Sequence, residues 1–236
     1  MKNGIILAGG KGTRLLPFSQ AINKGLLNIN GKAVIDYPLN TLKQLGVSNV
    51  SIILGGDHFE QIVNYLQDGD RYGMNFNYVY QGEPKGISQA INICKRFVAD
   101  EKQFAVILGD NLYEKPFNLR SDFDGAQIIL NTHKELTRFG VASILNDKIT
   151  KLVEKPKNID YTVDNYAISG AYVFDQDFFK YFEKSKPSAR GEFEILDIIQ
   201  AYHNDDKLSF SIYDALWADA GTHESIIELN NYFYNL

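Results

Sequence analysis

Three short apolar runs, each closely followed by glycine, do most to limit the architectures open to this chain. Ile5 to Leu7, Val50 to Leu54 and Phe104 to Leu108 are almost free of polar side chains and too short for buried helices. Strands covered on both faces read this way. Between the first two, Val34, Ile35, Leu39, Leu42 and Leu45 keep helical spacing, and Gly46 marks a helix end. Phe59, Ile62, Val63 and Leu66 repeat the pattern after the second run, and Ile87 to Phe97 offers another helix before the third. Strand, loop and helix in repetition predict an α/β fold, with a central, mainly parallel but mixed, Rossmann-like sheet flanked by helices on both faces.

The second half has a different pattern. Ile128 to Leu130, Val141 to Ile144, Ile149 to Val153 and Ala167 to Phe174 are strand-like with few helices between them, which predicts added antiparallel or mixed strands. Helical spacing returns at Phe178 to Phe182, Ile195 to Tyr202 and Ser225 to Tyr234. No Pro-, Gly- or Ser-rich linker divides the chain, no internal repeat is visible, and 236 residues suit one large α/β domain. The second half is expected to pack onto the first within that single domain.

A formal net charge of -5 speaks against a nucleic-acid partner, which needs clustered Lys and Arg, yet is compatible with a local pocket for a small anion. The single cysteine, Cys94, has no intrachain partner, and no Cys/His set has zinc-site spacing. A reducing cytoplasm is the expected location. The apolar run near the N-terminus is too short for a signal peptide or a membrane span, so no membrane partner is expected. His58, His133, His203 and His223 show neither metal spacing nor a triad partner, and surface or packing positions are expected for them.

The segment Leu7-Ala8-Gly9-Gly10-Lys11-Gly12-Thr13-Arg14-Leu15 sets three glycines and two cations directly after the first strand. Glycines let backbone N–H groups approach phosphate oxygens closely, and Arg14 offers a planar, permanently charged fork. Taken alone, the segment could also be a tight turn. It is not a Walker loop, because Gly12 follows Lys11. Nor is it a dinucleotide fingerprint, because Leu15 stands where a third glycine belongs and Leu54-Gly55 replaces the acidic residue closing the second strand. Asp110 stands at the carboxyl end of a strand, where open α/β sheets bind ligands, although a helix cap would also use Asp. Asp219 follows the only tryptophan, Trp217, and could equally be a turn residue before Gly221.

Together with Asn23-Lys24-Gly25-Leu26-Leu27, the glycine-rich segment resembles the signature of the sugar nucleotidyltransferases, and within them the glucose-1-phosphate thymidylyltransferases. Further matches follow in order along nearly the whole chain: Gly86-Ile87-Ser88-Gln89-Ala90, Leu108-Gly109-Asp110-Asn111, Arg138-Phe139-Gly140-Val141, Glu154-Lys155-Pro156, Tyr166 to Gly170, Lys186 to Glu192, and Trp217 to Thr222. Any one is weak, and Glu154-Lys155-Pro156 by itself is an ordinary charged turn; the ordered set is specific. The resemblance implies transfer of a nucleotidyl group from dTTP to glucose 1-phosphate with release of pyrophosphate.

It further implies that Arg14 and Lys24 are the catalytic cations, and that Asp110 and Asp219 hold Mg²⁺. Leu7, Gly9, Gly10, Gly12, Thr13, Arg14, Lys24, Gln81, Gly86 and Asp110 would bind the nucleotide. Ile87, Asn111, Gly140, Glu154, Lys155 and Ile168 would bind the sugar phosphate. The nucleotide-binding part would span about 1–125 and the sugar-binding part about 126–236, in a short form without the C-terminal regulatory helices of longer members. A homo-oligomer is expected.

Four positions depart from the pattern. Gly25 stands for glutamine, Asn28 for proline, Lys85 for aspartate and Phe139 for tyrosine. The alternatives are a uridylyl- or cytidylyltransferase for another sugar 1-phosphate, a non-catalytic nucleotide-sugar sensor, which the intact Arg14, Lys24, Asp110 and Asp219 oppose, and a dinucleotide-binding oxidoreductase, which the missing fingerprint opposes.

Overall fold

Successive side chains of a strand leave on opposite faces, so a strand buried on both must feed two cores. Ile5, Ile53 and Val106 enter one apolar cluster, and their neighbours Ile6, Ile52 and Ile107 enter another. The computed structural model describes residues 1–120 and 123–235. Its elements in chain order are β1 (Asn3–Ala8), a hairpin of β2 (Asn28–Ile29) and β3 (Lys32–Ala33), α1 (Asp36–Gln44), β4 (Asn49–Leu54), α2 (Phe59–Leu66), β5 (Asn75–Tyr80), α3 (Ile87–Ile93), β6 (Gln103–Leu108) and β7 (Asn111–Tyr113). There follow β8 (Ala126–Asn131), β9 (Gly140–Leu145), β10 (Lys148–Glu154), β11 (Asp164–Asp175), α4 (Asp177–Lys184), α5 (Ile195–Asn204), β12 (Leu208–Ile212), β13 (Trp217–Asp219) and α6 (His223–Tyr234).

Strands β6, β1, β4 and β5 pair in parallel in that order, the α/β core expected from the sequence. The later strands extend the same sheet instead of packing upon it. β11 pairs antiparallel with β6, β8 and β9, β10 closes one edge beside β9, and β12 runs parallel to β8. Leu39 and Leu42 of α1 and Ile62 and Leu66 of α2 cover one face. Ile91 of α3, Phe178 of α4 and Tyr202 of α5 cover the other. A smaller cluster ties Leu229 of α6 to Ile29 and Val34 around the β2–β3 hairpin.

In the large sheet, β5 and β12 carry no apolar run. β5 alternates Asn with aromatic residues, and β12 alternates Ser with Leu, Phe and Ile. Each ends a row of pairings in the sheet, so only part of each strand is buried and no continuous apolar signal arises. The helix expected from Val34 starts at Asp36, and the one expected to reach Phe97 stops at Ile93. Among the described residues no helix is long and apolar enough to cross a membrane.

Candidate active site

The carboxyl ends of β1 and β6 approach so closely that side chains are excluded. A Cβ on Gly109 would lie 2.9 Å from the Leu7 carbonyl oxygen, and one on Gly55, just after β4, would lie 3.1 Å from the Gly9 carbonyl oxygen. The glycine-rich segment leaves this gap, turns at Gly12 (φ 65°) and is pinned by the wholly buried Leu15, which leaves the Arg14 side chain at the surface of the cleft. A short turn over Lys24–Leu26, capped by the Asn23 side chain accepting from the Gly25 N–H at 3.0 Å, supplies the second cation. Lys24 passes over Gly10 and reaches Asp110 Oδ2 at 2.5 Å.

Asp110 caps no helix; β7 begins at the next residue and pairs with β13, setting Asn111 opposite Asp219. The Ala220 N–H donates to the Asp110 carbonyl at 2.7 Å and locks the two strand ends together. Burial pushes the Asp110 carboxyl up, but the Lys24 ammonium and the N–H of Asn111 outweigh it and hold the carboxyl below its ordinary value. Asp219 goes the other way: burial raises it, Arg138 opposes the rise, and the Asp110 charge adds to it. Arg138 Nη2 lies 3.3 Å from Asp219 Oδ2, and Arg14 Nη2 lies 3.7 Å from the same oxygen.

Two cavities meet at Asp110. The smaller, about 300 Å³, is lined by Leu7, Gly9, Gly10, Lys24, Gln81 and Gly86. The larger, about 670 Å³, is lined by Thr13, Arg14, Asn111, Gly140, Ile168 and Asp219. Ile87, Asp110, Glu154 and Lys155 face both. Of the residues expected to bind nucleotide, sugar phosphate or metal, Gly12 alone lines neither cavity. Its left-handed backbone turns the loop while its Cα packs over Ser19 and the Lys24 stem.

Gly86 shapes the smaller cavity by its backbone. Its φ is 99°, and a Cβ would lie 2.5 Å from the Phe193 carbonyl oxygen, which also accepts the Ser88 N–H at 3.3 Å. Gly86→Ala is expected to cost about 2 kcal/mol or more through backbone strain and this clash. Urea denaturation checks it, and an unchanged midpoint at unchanged slope would remove the constraint.

Side chains given no role from the sequence also face the cavities. Arg138 and Trp217 line the larger, Arg190 lines the smaller, and Glu192 and Glu194 face both. Arg190 Nη2 lies 2.9 Å from each Glu194 oxygen and 3.5 Å from Glu154. All but Glu194 lie inside motifs that the sequence displays; what was missing was any sign that they reach the cleft. The lining thus sets Arg14, Lys24, Arg138, Lys155 and Arg190 against Asp110, Glu154, Glu192, Glu194 and Asp219, a balanced set in an acidic chain.

The four departures fall in different places. A Cβ on the buried Gly25 would lie 2.9 Å from Ile62 Cδ1, so this residue faces α2 and a side chain there would displace the Ile62 tip. Asn28 sits in the β2–β3 hairpin, where its side chain accepts the Gly31 N–H. Lys85 is exposed and pairs with Glu83, whereas Phe139 lines the larger cavity and packs edge-on against Trp217. None of the histidines lines either cavity. His58 and His223 bond the Gln20 and Leu16 carbonyls, and His133 packs on Phe139.

The sequence profile of the nucleotidyl transferase family matches residues 3–235. The low-salt glycan biosynthesis nucleotidyltransferase of Haloferax volcanii is 36% identical over 96% of this chain, which spans 64% of that relative's length. The glucose-1-phosphate thymidylyltransferase of Neisseria meningitidis serogroup A is 34% identical over 95% of this chain and 80% of its own. A solved structure from Bacillus anthracis, assigned provisionally as a glucose-1-phosphate thymidylyltransferase and holding sucrose, superposes with a TM-score of 0.89 at 35% identity, covering 100% of this chain and 96% of its own. A UDP-glucose pyrophosphorylase solved with UDP-glucose shares the fold at a TM-score of 0.84 and 24% identity, covering 100% and 99% of the two chains. With its parallel core, glycine-rich loop and paired aspartates, the chain belongs to the nucleotidyl transferase family.

Proposed function

We propose that the protein transfers a thymidylyl group from dTTP to glucose 1-phosphate, forming dTDP-glucose and releasing pyrophosphate. The observation that carries this reading is the meeting of two cavities at Asp110, one floored by the glycine-rich loop and the other walled by Glu154, Gly140 and Ile168. A nucleotide in the smaller cavity and a sugar phosphate in the larger would bring their phosphates together between Arg14, Lys24 and Asp110. The names carried by relatives that align over most of the chain agree with it. On this reading the nucleotide-binding part is about 1–125 and the sugar-binding part about 126–236.

The acceptor's phosphate oxygen attacks the α-phosphorus in line, and the bond to the pyrophosphate oxygen breaks. Little covalent work falls to the protein, which must hold anions together and offset charge on the transferring and leaving groups. Arg14 spans two oxygens with its fork, and Lys24 supplies a point charge from below the loop. Gln81, whose amide both donates and accepts, pairs with the pyrimidine edge, and the backbone at Gly86 completes the base pocket. Glu154 accepts from sugar hydroxyls beside Gly140 and Ile168, while Lys155 meets the sugar phosphate.

The donor set fits Mg²⁺. Asp110 and Asp219 present hard oxygens from adjacent strand ends, and among the described residues no group of three or more His, Cys, Asp or Glu forms an all-protein cage. Mg²⁺ commonly takes one or two carboxylates and completes its shell with phosphate oxygens and water. When bound, it would neutralise phosphate charge at the point of transfer.

A screen of pyrophosphate release tests the reading, with dTTP, UTP, CTP and GTP each offered against a panel of sugar 1-phosphates. We expect the highest rate for dTTP with glucose 1-phosphate, a slower rate for UTP, since Gln81 faces an edge that both bases share, and none with chelator. Absence of pyrophosphate from every pair would overturn it.

A further inference from the structure

We propose that Trp217 and Asn111 act in series to orient the Asp110 carboxylate, so that Asn111 is a positioning residue and not a contact to a sugar hydroxyl. The inference rests on reading Asp110 and Asp219 as the cation-holding pair. Directionality carries it. An indole N–H can only donate, and Trp217 Nε1 lies 2.7 Å from Asn111 Oδ1. The amide oxygen is therefore committed to Trp217, and the amide nitrogen faces Asp110 Oδ1 at 2.9 Å. An ionised carboxylate can only accept, so both ends of the amide agree on one orientation. Reversing it would set donor against donor at the indole and acceptor against acceptor at the carboxylate.

The surroundings hold this chain in place. Asn111 and Trp217 are buried, so water does not compete for the bond between them. Phe139 and His133 press edge-on against the indole. Gly170 makes the room: its φ is 75°, and a Cβ there would lie 3.0 Å from Asn111 Oδ1 and 2.8 Å from Leu108 Cδ1. Lys24 grips the other carboxylate oxygen, Oδ2, at 2.5 Å, so Asp110 is held at both oxygens and the plane of its carboxylate is set. The β7–β13 ladder carries Trp217 and Asp219 on one strand and Asn111 on the other, so the same two strands place both aspartates and the device that aims one of them.

The test measures binding of Mn²⁺ alone, with no nucleotide or sugar present, by counting free Mn²⁺ from its paramagnetic resonance. Trp217→Phe keeps a ring in the aromatic wall and removes only the donor; Asn111→Leu keeps the approximate shape and removes both polar ends. Second-shell partners of metal ligands typically contribute 10–100-fold in affinity, so Asn111→Leu is expected to weaken Mn²⁺ binding about tenfold. Trp217→Phe, which touches neither aspartate, is expected to weaken it about threefold, and the double variant to be no weaker than Asn111→Leu alone, the signature of two links in one chain. Unchanged Mn²⁺ affinity in Trp217→Phe, or additive losses in the double variant, would overturn the relay. So would an Asn111→Leu protein that raises the KM for sugar 1-phosphate but binds Mn²⁺ normally. Failure of the parent protein to bind Mn²⁺ is a different result, which removes the metal reading and the relay together.

Discussion

Asparagine in place of Asp110 is expected to lower kcat at least about 100-fold, a loss of about 2.7 kcal/mol of transition-state stabilisation, with stability changed by no more than about 1 kcal/mol. The substitution keeps the shape of the side chain and removes a negative charge beside the point where the cavities meet. Lys24 is not left isolated, because the Asp219 charge acts on the same group of residues. Steady-state pyrophosphate release gives the rate and thermal melting the stability. A near-parental kcat would remove Asp110 from the transfer machinery.

Lys24→Met has its largest effect on the folded state. The Lys24 and Asp110 side chains are 16% and 15% exposed and 2.5 Å apart, and removing one partner leaves a carboxylate in a poorly solvated site next to Asp219. The expected cost near neutral pH is about 3 kcal/mol, the lower end of the range for breaking a buried pair. The pH dependence shifts with it. In the parent the Asp110 carboxyl lies below its ordinary 3.8, so its contribution is present above that value and lost as the pH falls through the folded-state value. Without Lys24, burial is opposed only by the hydrogen bonds to Asn111 and the backbone, so the carboxyl moves up from its parental position and the deficit relative to the parent narrows as the pH falls. Denaturant titrations near pH 7 and at about pH 4 check this. A deficit that stays constant between them would show that the lysine stabilises by packing and not by charge. Adding Asp110→Asn should recover stability without recovering turnover.

What could be read from the sequence follows from how local each signal is. β1, β4 and β6 are buried on both faces and therefore appear as unbroken apolar runs. Gly9 and Gly109 announce a place where backbones nearly touch. β5 and β12, each at the end of a row of pairings, mix apolar residues with Asn and Ser, so the chain around them gives no run to recognise. Arg138 pairs with Asp219 from 81 residues away, a meeting made only by the fold. The same holds for the direction of the Asn111 amide, set by an indole 106 residues later. Local pattern could name these residues as motif members, but not the partners to which they are joined.

β11 joins the two ends of the sheet. Its Ala171–Asp175 segment pairs with β6 beside the parallel strands, its Asp164–Ala167 segment pairs with β9 in the antiparallel half, and the register shifts between Ile168 and Tyr172, around Gly170. The two walls of the cleft are therefore joined by one continuous strand, and among the described residues the sheet has no break at which one could be detached from the other. An enzyme built this way cannot acquire a new acceptor by exchanging whole modules. Its evolvability lies in the loops carried at the strand ends, such as 132–139, 155–163 and 185–194, which can vary in sequence while the sheet stays as it is.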